Sequence, residues 1–247
     1  MPRPAVLVIA ATDSSGGAGL TRDVRVLTDF GVDALCVVTA VTAQSDKKVS
    51  AVHHVPAEVI RAQIAAAFAT RQIGAIKIGM LGTQATVEAV VAELLAAYGI
   101  PIVVDPVLVS TSGGVLLDAG GRAALTGSLF RIATLVTPNV PEAAALLGEP
   151  LATDEADLIR QGQRLLGFGS QATLLKGGHR DGEEAVDLLM SGASIERIAS
   201  KRVVGSSRGT GCALASGIAA GLAAGNPLGE ACRAAKHYVV AMLAPVS

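Results

Sequence analysis

The chain has 247 residues, of which 51% are hydrophobic and 17% charged, and its formal net charge at pH 7 is -1. This length and apolar content suffice for one large domain with a substantial core, and no linker, repeat or low-complexity tract divides residues 1–247. A charge near zero, 2% aromatic residues and the lack of a basic stripe argue against a nucleic-acid partner.

Short apolar runs alternate with segments of helical periodicity along the chain. The apolar runs are typical of buried strands and cover residues 5–11, 34–41, 75–78, 102–105, 135–137 and 172–176. The helical segments include residues 56–71, 83–98 and 154–166. This alternation predicts an α/β fold with a mostly parallel central sheet and helices on both faces. Residues 45–54 add a polar turn and a short strand that we expect to cover the ligand.

Five polar side chains follow these apolar runs, each at the point where a predicted strand ends. They are Asp13, Gln44, Asp105, Asn139 and Lys176. Ligands of open parallel sheets bind beyond the carboxyl ends of the strands. We therefore expect the five side chains to lie at one edge of the sheet and to take part in a binding site.

The first glycine-rich segment, Gly16-Gly-Ala-Gly19, follows the first apolar run and a polar turn, which indicates a helix start. Its spacing differs from the Gly-x-Gly-x-x-Gly dinucleotide fingerprint, and the acid expected about twenty residues later is missing, so a dinucleotide site is a minor alternative. Asp23 lies one turn into the helix. The segment therefore suits a small polar ligand held by backbone groups and a carboxylate, although a Ser/Asp-capped helix start has the same pattern.

A second glycine-rich segment runs from Arg208 to Cys212 (Arg-Gly-Thr-Gly-Cys) and precedes a long uncharged run. Gly209 and Gly211 allow backbone N–H groups to point into one concavity, where the helix dipole adds positive potential suited to a phosphate. A cysteine in the first turn is expected to have a lowered pKa, which makes Cys212 a candidate proton acceptor. Such a Gly-x-Gly is about as often only a tight turn or a close packing contact.

The other two cysteines carry no functional pattern. Cys36 lies in an apolar strand and Cys232 in a late helix, so both are expected to be inert, buried thiols. The cysteines lack metal-ligand spacing and no signal peptide is recognisable, which predicts a reducing, cytoplasmic location. We interpret the uncharged residues 209–229 as a buried helix and turn, since glycines and Asn226-Pro227 interrupt them, and expect no membrane partner.

Taken together, these motifs resemble the bacterial hydroxymethylpyrimidine and phosphomethylpyrimidine kinases of thiamine synthesis, within the ribokinase-like superfamily. Seven segments carry the resemblance in family order over nearly the whole length: residues 12–19 with Asp23, 42–44, 77–80, 105–107, 137–142, 176–179 and 209–212. The resemblance implies a single ribokinase-like kinase domain over residues 1–247. It also implies ATP and Mg²⁺ as cofactors, a small pyrimidine alcohol as substrate, and a homodimer.

The resemblance further implies roles for the polar residues near the phosphates. Gly209, Thr210, Gly211 and Cys212 would form an anion hole, in which Cys212 accepts the proton of the attacking hydroxyl. The residues expected to contact ATP are Asn139, Lys176, His179 and Arg208. Asp105 and Glu142 would contribute to Mg²⁺ binding, partly through water, because Mg²⁺ keeps several waters and is shared with nucleotide phosphates. Asn139 and Glu142 are also a candidate helix cap, and the two roles are compatible.

For the pyrimidine, the resemblance points to Asp23 and Gln44. A carboxylate can accept from the exocyclic amine, while a carboxamide offers a donor and an acceptor to the ring nitrogens. Met80 and Val107 would pack against the ring, although a methionine at such a position is as often plain core. Ala11 replaces a glycine usual in the family and would also contact the pyrimidine.

The expected activity is ATP-dependent phosphorylation of 4-amino-5-hydroxymethyl-2-methylpyrimidine, with or without phosphorylation of its monophosphate. Thr111 and Arg208 depart from the family pattern where a lysine and a histidine are common, and we expect these departures to favour phosphorylation of the free alcohol over that of the monophosphate. Two alternatives remain open. One is a pyridoxal or pyridoxine kinase with the same fold and anion hole, and the other is a ligand-binding homologue without turnover.

Overall fold

The computed structural model describes residues 3–45, 47–97, 99–110, 113–177, 183–203 and 208–244. The strands in these ranges are β1 (Ala5–Asp13), β2 (Asp33–Gln44), β3 (Val49–His54), β4 (Ala75–Ile78), β5 (Ile102–Val104), β6 (Leu135–Val136), β7 (Ala172–Lys176), β8 (Glu184–Ser191) and β9 (Ser194–Lys201). The helices are α1 (Gly19–Asp29), α2 (Ala57–Thr70), α3 (Gln84–Leu94), α4 (Ala119–Ala124), α5 (Phe130–Ile132), α6 (Val140–Leu147), α7 (Glu155–Leu166), α8 (Thr210–Ala223) and α9 (Leu228–Leu243). A π-helical segment, Leu125–Leu129, joins α4 to α5.

The strands of the described ranges form one nine-stranded sheet in the order β3-β2-β1-β4-β5-β6-β7-β8-β9. Six adjacent strands are parallel to one another: β2, β1, β4, β5, β6 and β7. At one edge β3 pairs antiparallel with β2, and at the other edge β8 and β9 are added by antiparallel pairing. The expectation of a mostly parallel α/β sheet is therefore confirmed. The short strand expected within residues 45–54 is also present, as β3, whereas its expected position over a ligand stays a prediction.

The core is divided between the two faces of the sheet, because successive strand residues point to opposite sides. Leu7 and Ile9 of β1 pack in a cluster with buried residues of α2, α3, α6 and α7. Val6 and Val8 pack in a second cluster, with buried residues of α1, α8 and α9. The sheet is thus covered on both faces, and its loops at the carboxyl ends of the strands remain available for a site.

The uncharged residues 209–229 form α8, a turn and the start of α9, which confirms the interpretation as a buried helix and turn. All nine residues of α8 from Ala213 to Gly221 are buried. Within the described part of the chain, no helix combines the length and the apolar character needed to cross a membrane.

One expectation about the cysteines is wrong. Cys232 is buried in α9 as expected, but Cys36 is exposed on β2. Ala34 and Val38, which flank Cys36 on the same face of β2, are only half-buried. The helical cover of this face is therefore incomplete near the sheet edge, and an apolar sequence run does not guarantee burial there.

Candidate active site

A cavity of about 970 Å³ lies beyond the carboxyl ends of the parallel strands. Thirteen of the residues expected to form the site line it: Ala11, Asp13, Gln44, Met80, Asp105, Val107, Asn139, Glu142, Lys176, Gly209, Thr210, Gly211 and Cys212. Residues that are far apart in the sequence thus meet in one space. The expectation that the polar strand ends share a binding site agrees with this arrangement.

The first glycine-rich segment is folded back against the end of β1. The Asp13 carboxylate accepts hydrogen bonds from the backbone N–H of Ser15 at 2.9 Å and from its hydroxyl at 2.8 Å. Gly19 begins α1 with φ +58°, and a Cβ there would lie 2.4 Å from the carbonyl oxygen of Ala11. Only glycine fits this position, because both the backbone angle and the close approach exclude a side chain.

The second glycine-rich segment begins α8 and faces the first one. Gly209 caps α8 in the left-handed conformation, with φ +76°. A Cβ on Gly211 would lie 3.2 Å from the Lys176 Nζ and 3.5 Å from a carboxylate oxygen of Asp105. The bare first turn of α8 therefore comes close to a charged cluster, and its dipole adds positive potential to the cavity.

Cys212, in the first turn of α8, corrects one expectation about the site. Its sulfur accepts a hydrogen bond from the backbone N–H of Gly19 and lies within electrostatic reach of Lys77, both of which favour the thiolate. Burial nevertheless dominates and raises the pKa of Cys212 to about 11, so the expected lowered pKa is wrong for the ligand-free protein. The helix start does not compensate for the thiol's removal from water.

Lys176, Asp105 and Glu142 form a charged cluster at the ends of neighbouring elements. The Lys176 ammonium lies 3.0 Å from Asp105 Oδ1 and 3.9 Å from Glu142 Oε2, and the side chains are at most 13% exposed. Burial alone would lower the pKa of Lys176, but the two carboxylates outweigh it and raise the pKa above its usual value. Lys176 is therefore a permanent cation inside the cavity.

Asn139 and Glu142 also cap α6. The Asn139 side chain accepts from the Glu142 backbone N–H, and the Glu142 carboxylate accepts from the Asn139 backbone N–H, both at 2.8 Å. This capping box fixes Glu142 at the cavity wall. Burial raises the pKa of Glu142 to about 7, with Lys176 opposing the shift and Asp105 reinforcing it. The cap and the site thus use the same two side chains.

Gln44, Met80, Val107 and Ala11 line the same cavity, at the ends of β2 and β1 and shortly after β4 and β5. Met80 and Ala11 are 8% and 3% exposed and pack in one small apolar cluster, against which Val107 is packed. The backbone of Gln44 is tied to Ser14, whose hydroxyl accepts from the Gln44 N–H and donates to the Gln44 carbonyl, both at 2.9 Å. An apolar wall with one carboxamide suits a flat, polar-edged ring.

Asp23 does not lie where the resemblance suggested. Its side chain is fully buried in α1, and Lys77 Nζ donates to its two carboxylate oxygens at 2.9 and 2.8 Å. The Ser216 hydroxyl donates to the same carboxylate at 2.8 Å. With these partners and no exposed surface, the carboxylate cannot accept from a pyrimidine amine in this structure, which corrects the expected contact. The side chain instead holds Lys77.

Two further residues, Arg208 and His179, were expected to contact ATP, and only Arg208 lies within the described residues. Arg208 donates to Asp13 Oδ2 at 3.0 Å and to the Ser15 hydroxyl at 3.0 Å, so its guanidinium links the two glycine-rich segments. These contacts do not test a role in ATP binding, which stays a prediction. His179 and Thr111 lie outside the described residues.

The sequence reasoning missed several residues that line the cavity. Lys77, the third residue of β4, is fully buried, and a lysine inside an apolar strand is the signal that could have singled it out. A second group, on α9, consists of Lys236, Val239, Val240 and Leu243, with Asp187 of β8 paired to the Lys236 ammonium at 2.7 Å. Its signal is the helical spacing of the four α9 residues.

Comparison with known proteins agrees with this geometry. The family model described as phosphomethylpyrimidine kinase matches residues 13–245. The hydroxymethylpyrimidine/phosphomethylpyrimidine kinase of Rhizobium meliloti is 44% identical over 238 residues, which cover 96% of this chain and 89% of that protein.

Two solved structures are similar over nearly the whole chain. The crystal structure of a Clostridium difficile phosphomethylpyrimidine kinase has a TM-score of 0.85 and 34% identity, covering 98% of this chain and all of that one. An ADP complex of Bacillus subtilis pyridoxal kinase has a TM-score of 0.90 but only 28% identity, covering 100% of this chain and 95% of that one. The fold is thus shared with pyridoxal kinases, while the sequence is nearer to the pyrimidine kinases. The chain belongs to the phosphomethylpyrimidine kinase family.

Proposed function

We propose that this chain transfers the γ-phosphoryl group of ATP to the hydroxymethyl oxygen of 4-amino-5-hydroxymethyl-2-methylpyrimidine, and to the phosphate of its monophosphate, in thiamine biosynthesis. The observation that carries the proposal is one cavity lined both by an apolar wall with Gln44, at the end of β2, and by the Lys176 cluster, at the end of β7, with β1, β4, β5 and β6 between these two strands. The first turn of α8 connects the two groups, because Gly209 lies against Gly17 of the segment after β1 and Gly211 lies close to Lys176. An acceptor and a phosphoryl donor can therefore be held close together and in line, which phosphoryl transfer requires.

The phosphate end suits ATP. Lys176 supplies a fixed positive charge, and the backbone N–H groups of the first turn of α8, from Gly209 to Cys212, supply hydrogen-bond donors that are left uncovered at Gly209 and Gly211. Charge spread over the transferred phosphoryl oxygens is stabilised by such a preorganised arrangement. Asn139 and, if their roles follow the family, His179 and Arg208 complete the ATP contacts.

The carboxylates fit a shared Mg²⁺. Asp105 and Glu142 both approach Lys176, so two carboxylates face one ammonium, and a bound cation would favour the charged form of Glu142, whose pKa burial raises to about 7. No group of three or more acidic, histidine or cysteine ligands occurs among the described residues, which excludes a protein-only cage from that part of the chain. One or two carboxylates combined with nucleotide phosphates are the usual Mg²⁺ environment, and the ion would neutralise phosphate charge.

Proton transfer is assigned to Cys212. The hydroxyl oxygen of the pyrimidine forms a bond to the γ-phosphorus as the bond from that phosphorus to the oxygen of the β-phosphate breaks, and ADP leaves. The hydroxyl proton passes to the Cys212 sulfur, which must be a thiolate at that moment. Since burial holds the thiol's pKa near 11, ionisation of Cys212 limits the reaction at neutral pH.

Other parts of the assignment rest on the family. We infer that residues 1–247 form one kinase domain, because all strands of the described ranges belong to one sheet. A homodimer and a cytoplasmic location are proposed by analogy with the relatives. A pyridoxal kinase is less favoured, since the solved pyridoxal kinases share 28–29% identity with this chain, against 44% for the Rhizobium meliloti pyrimidine kinase.

The test is a substrate panel with MgATP. Steady-state phosphorylation is measured for the pyrimidine alcohol, its monophosphate, pyridoxal and pyridoxine. We expect the highest kcat/KM for the two pyrimidines. A higher value for pyridoxal would reassign the chain to the alternative kinase, and no turnover of any substrate, with binding retained in calorimetry, would identify a ligand-binding homologue.

A further inference from the structure

We propose that Lys77 is a positioning residue for the transfer reaction: held by Asp23 and Ser216, its buried ammonium supplies the positive charge that favours the thiolate of Cys212. The proposal rests on the function assigned to Cys212 above and names the group that supports it. Asp23 thereby acts behind the reacting atoms and does not contact the substrate.

The placement of the four residues follows from the fold. Cys212 and Ser216 are four residues apart on α8, so they lie on the same face of the helix. Ser216 and Lys77 both donate to Asp23, at 2.8 Å and at 2.8 to 2.9 Å. Lys77 and Cys212 both belong to the lining of the cavity, whereas Asp23 does not, although Lys77 and Asp23 are equally buried. The order from the cavity inward is therefore the thiol and the ammonium first, and the carboxylate behind them.

The neighbouring backbone is shaped around this ammonium. A Cβ on Gly79 would lie 2.9 Å from Lys77 Nζ and 3.1 Å from the Cβ of Ala10. The absent side chain at Gly79 therefore leaves the space in which the ammonium lies. A fully buried charge is costly unless it is paired, and a pair that served stability alone could be replaced by apolar residues of similar volume. The Lys77 ammonium, a buried charge at the cavity wall, therefore fits an electrostatic role better than a purely stabilising one.

Five groups set the charge around Cys212. Lys77 on β4 and Lys176 at the end of β7 attract the thiolate, and the Gly19 N–H donates to it. Asp23 on α1 and Asp105 after β5 repel it. Lys77 exerts the largest favourable effect on the pKa of Cys212. Burial alone would lower the pKa of Lys77, but the neighbouring negative groups, Asp23 first, outweigh burial and raise the pKa above its usual value. The ammonium thus stays charged wherever the thiol ionises.

The experiment measures how fast iodoacetamide alkylates Cys212 in the intact, substrate-free protein as a function of pH, with the modified site resolved by peptide mass spectrometry. Only the thiolate reacts, so the rate below the pKa follows the thiolate fraction. We expect Lys77→Met to slow the alkylation of Cys212 by about tenfold or more at fixed pH, which corresponds to a pKa raised by about one unit or more. Asp23→Asn should accelerate it, because it removes a repelling charge.

The decisive result is that Lys77→Met slows the alkylation of Cys212 while Asp23→Asn accelerates it, because both substitutions break the same ion pair. A purely structural role would loosen the site in both variants and change the rates in the same direction. That outcome, or unchanged rates in both, would overturn the proposal. If Lys77→Met alone does not fold, the double variant Lys77→Met/Asp23→Asn leaves no unpaired charge in the core. It should still react more slowly than the parent, and a parental rate would likewise overturn the proposal.

Lys236→Met is the matched control. Lys236 is also buried and ion-paired, to Asp187 at 2.7 Å, and it also lines the cavity, but it is not one of the groups that set the charge around Cys212. Its substitution should lower the thermal stability without changing the alkylation profile of Cys212. Turnover is then measured separately: Lys77→Met should lower kcat with little change in the KM for ATP. If the alkylation rates change as expected but the parent protein has no kinase activity, the proposed function is refuted and the electrostatic role of Lys77 is not.

Discussion

Gly209 and Gly17 approach each other so closely that a Cβ on Gly209 would lie 2.4 Å from the carbonyl oxygen of Gly17. The two glycine-rich segments are therefore in direct backbone contact, although they lie near opposite ends of the chain. Arg208 reinforces this contact through Asp13 and Ser15. The position of the first turn of α8 thus depends on the segment that follows β1.

Gly209→Ala should lower the kinase activity by more than the left-handed backbone angle of Gly209 alone explains. The substitution adds left-handed strain of about 1–2 kcal/mol and also a contact that forces the two segments apart. We expect kcat/KM for ATP to fall by about tenfold or more, as measured by steady-state kinetics. Gly31→Ala is the matched control, because Gly31 has φ +70° with nothing within 4 Å of an added Cβ. An equal loss of activity in both variants would contradict the role of the close approach.

Glu142 should make the stability of the ligand-free protein depend on pH. Its pKa is raised from 4.5 to about 7 by burial, so between these values the folded state binds more protons than the unfolded state. The free energy of unfolding therefore falls as the pH rises through this window, by about 3 kcal/mol for this group alone. Urea unfolding at pH 5 and pH 8 measures the change.

Glu142→Gln keeps an acceptor for the Asn139 N–H and removes the titration, so it is the control for this pH effect. We expect the difference in unfolding free energy between pH 5 and pH 8 to shrink in the variant. The same difference in both proteins would assign the pH dependence to other groups. The variant should also weaken the binding of Mg²⁺ with ATP, since one of two carboxylates is lost.

The sequence predicted the parts of the fold that follow from periodicity, and the residues at strand ends that follow from topology. β4 and β7 begin and end at the expected residues. The antiparallel β8 and β9 were not foreseen, because their partly exposed residues lack a continuous apolar run. The Asp23–Lys77 pair could not be inferred either, since it joins α1 to β4 across 54 positions and depends on packing that no local pattern records.

Gln44→Ala should weaken the binding of the pyrimidine alcohol. Loss of a hydrogen bond to a buried polar group costs roughly 1–3 kcal/mol, which lowers the affinity by about fivefold to more than a hundredfold. ATP affinity should remain nearly unchanged, because Gln44, at the end of β2, is separated from Lys176, at the end of β7, by β1, β4, β5 and β6 in the sheet. Calorimetry with each ligand measures both effects. Gln84→Ala, on the exposed start of α3, is the control, and an unchanged pyrimidine affinity in Gln44→Ala would remove Gln44 from the site.

Cys212 provides the most direct test of the proposed chemistry. A positioned base typically contributes on the order of 10²–10⁴ in rate. Cys212→Ala should therefore lower kcat by about that factor with a modest change in KM, since only an interaction of the transition state is lost. Cys36→Ser, on the exposed part of β2, is the matched cysteine control and should retain full activity.

The pH profile gives Cys212 a distinctive signature. A base acts in its deprotonated form, and burial raises the pKa of this thiol to about 11, so kcat should increase with pH throughout the neutral and mildly alkaline range. Cys212→Asp should recover part of the activity lost in Cys212→Ala, because a carboxylate can accept the same proton. Its kcat should level off at a lower pH, because a carboxyl group ionises well below a thiol. Turnover of Cys212→Ala equal to that of the parent, with ATP and the pyrimidine alcohol saturating, would show that the thiol only packs the start of α8 and that another group, such as the phosphate itself, takes the proton.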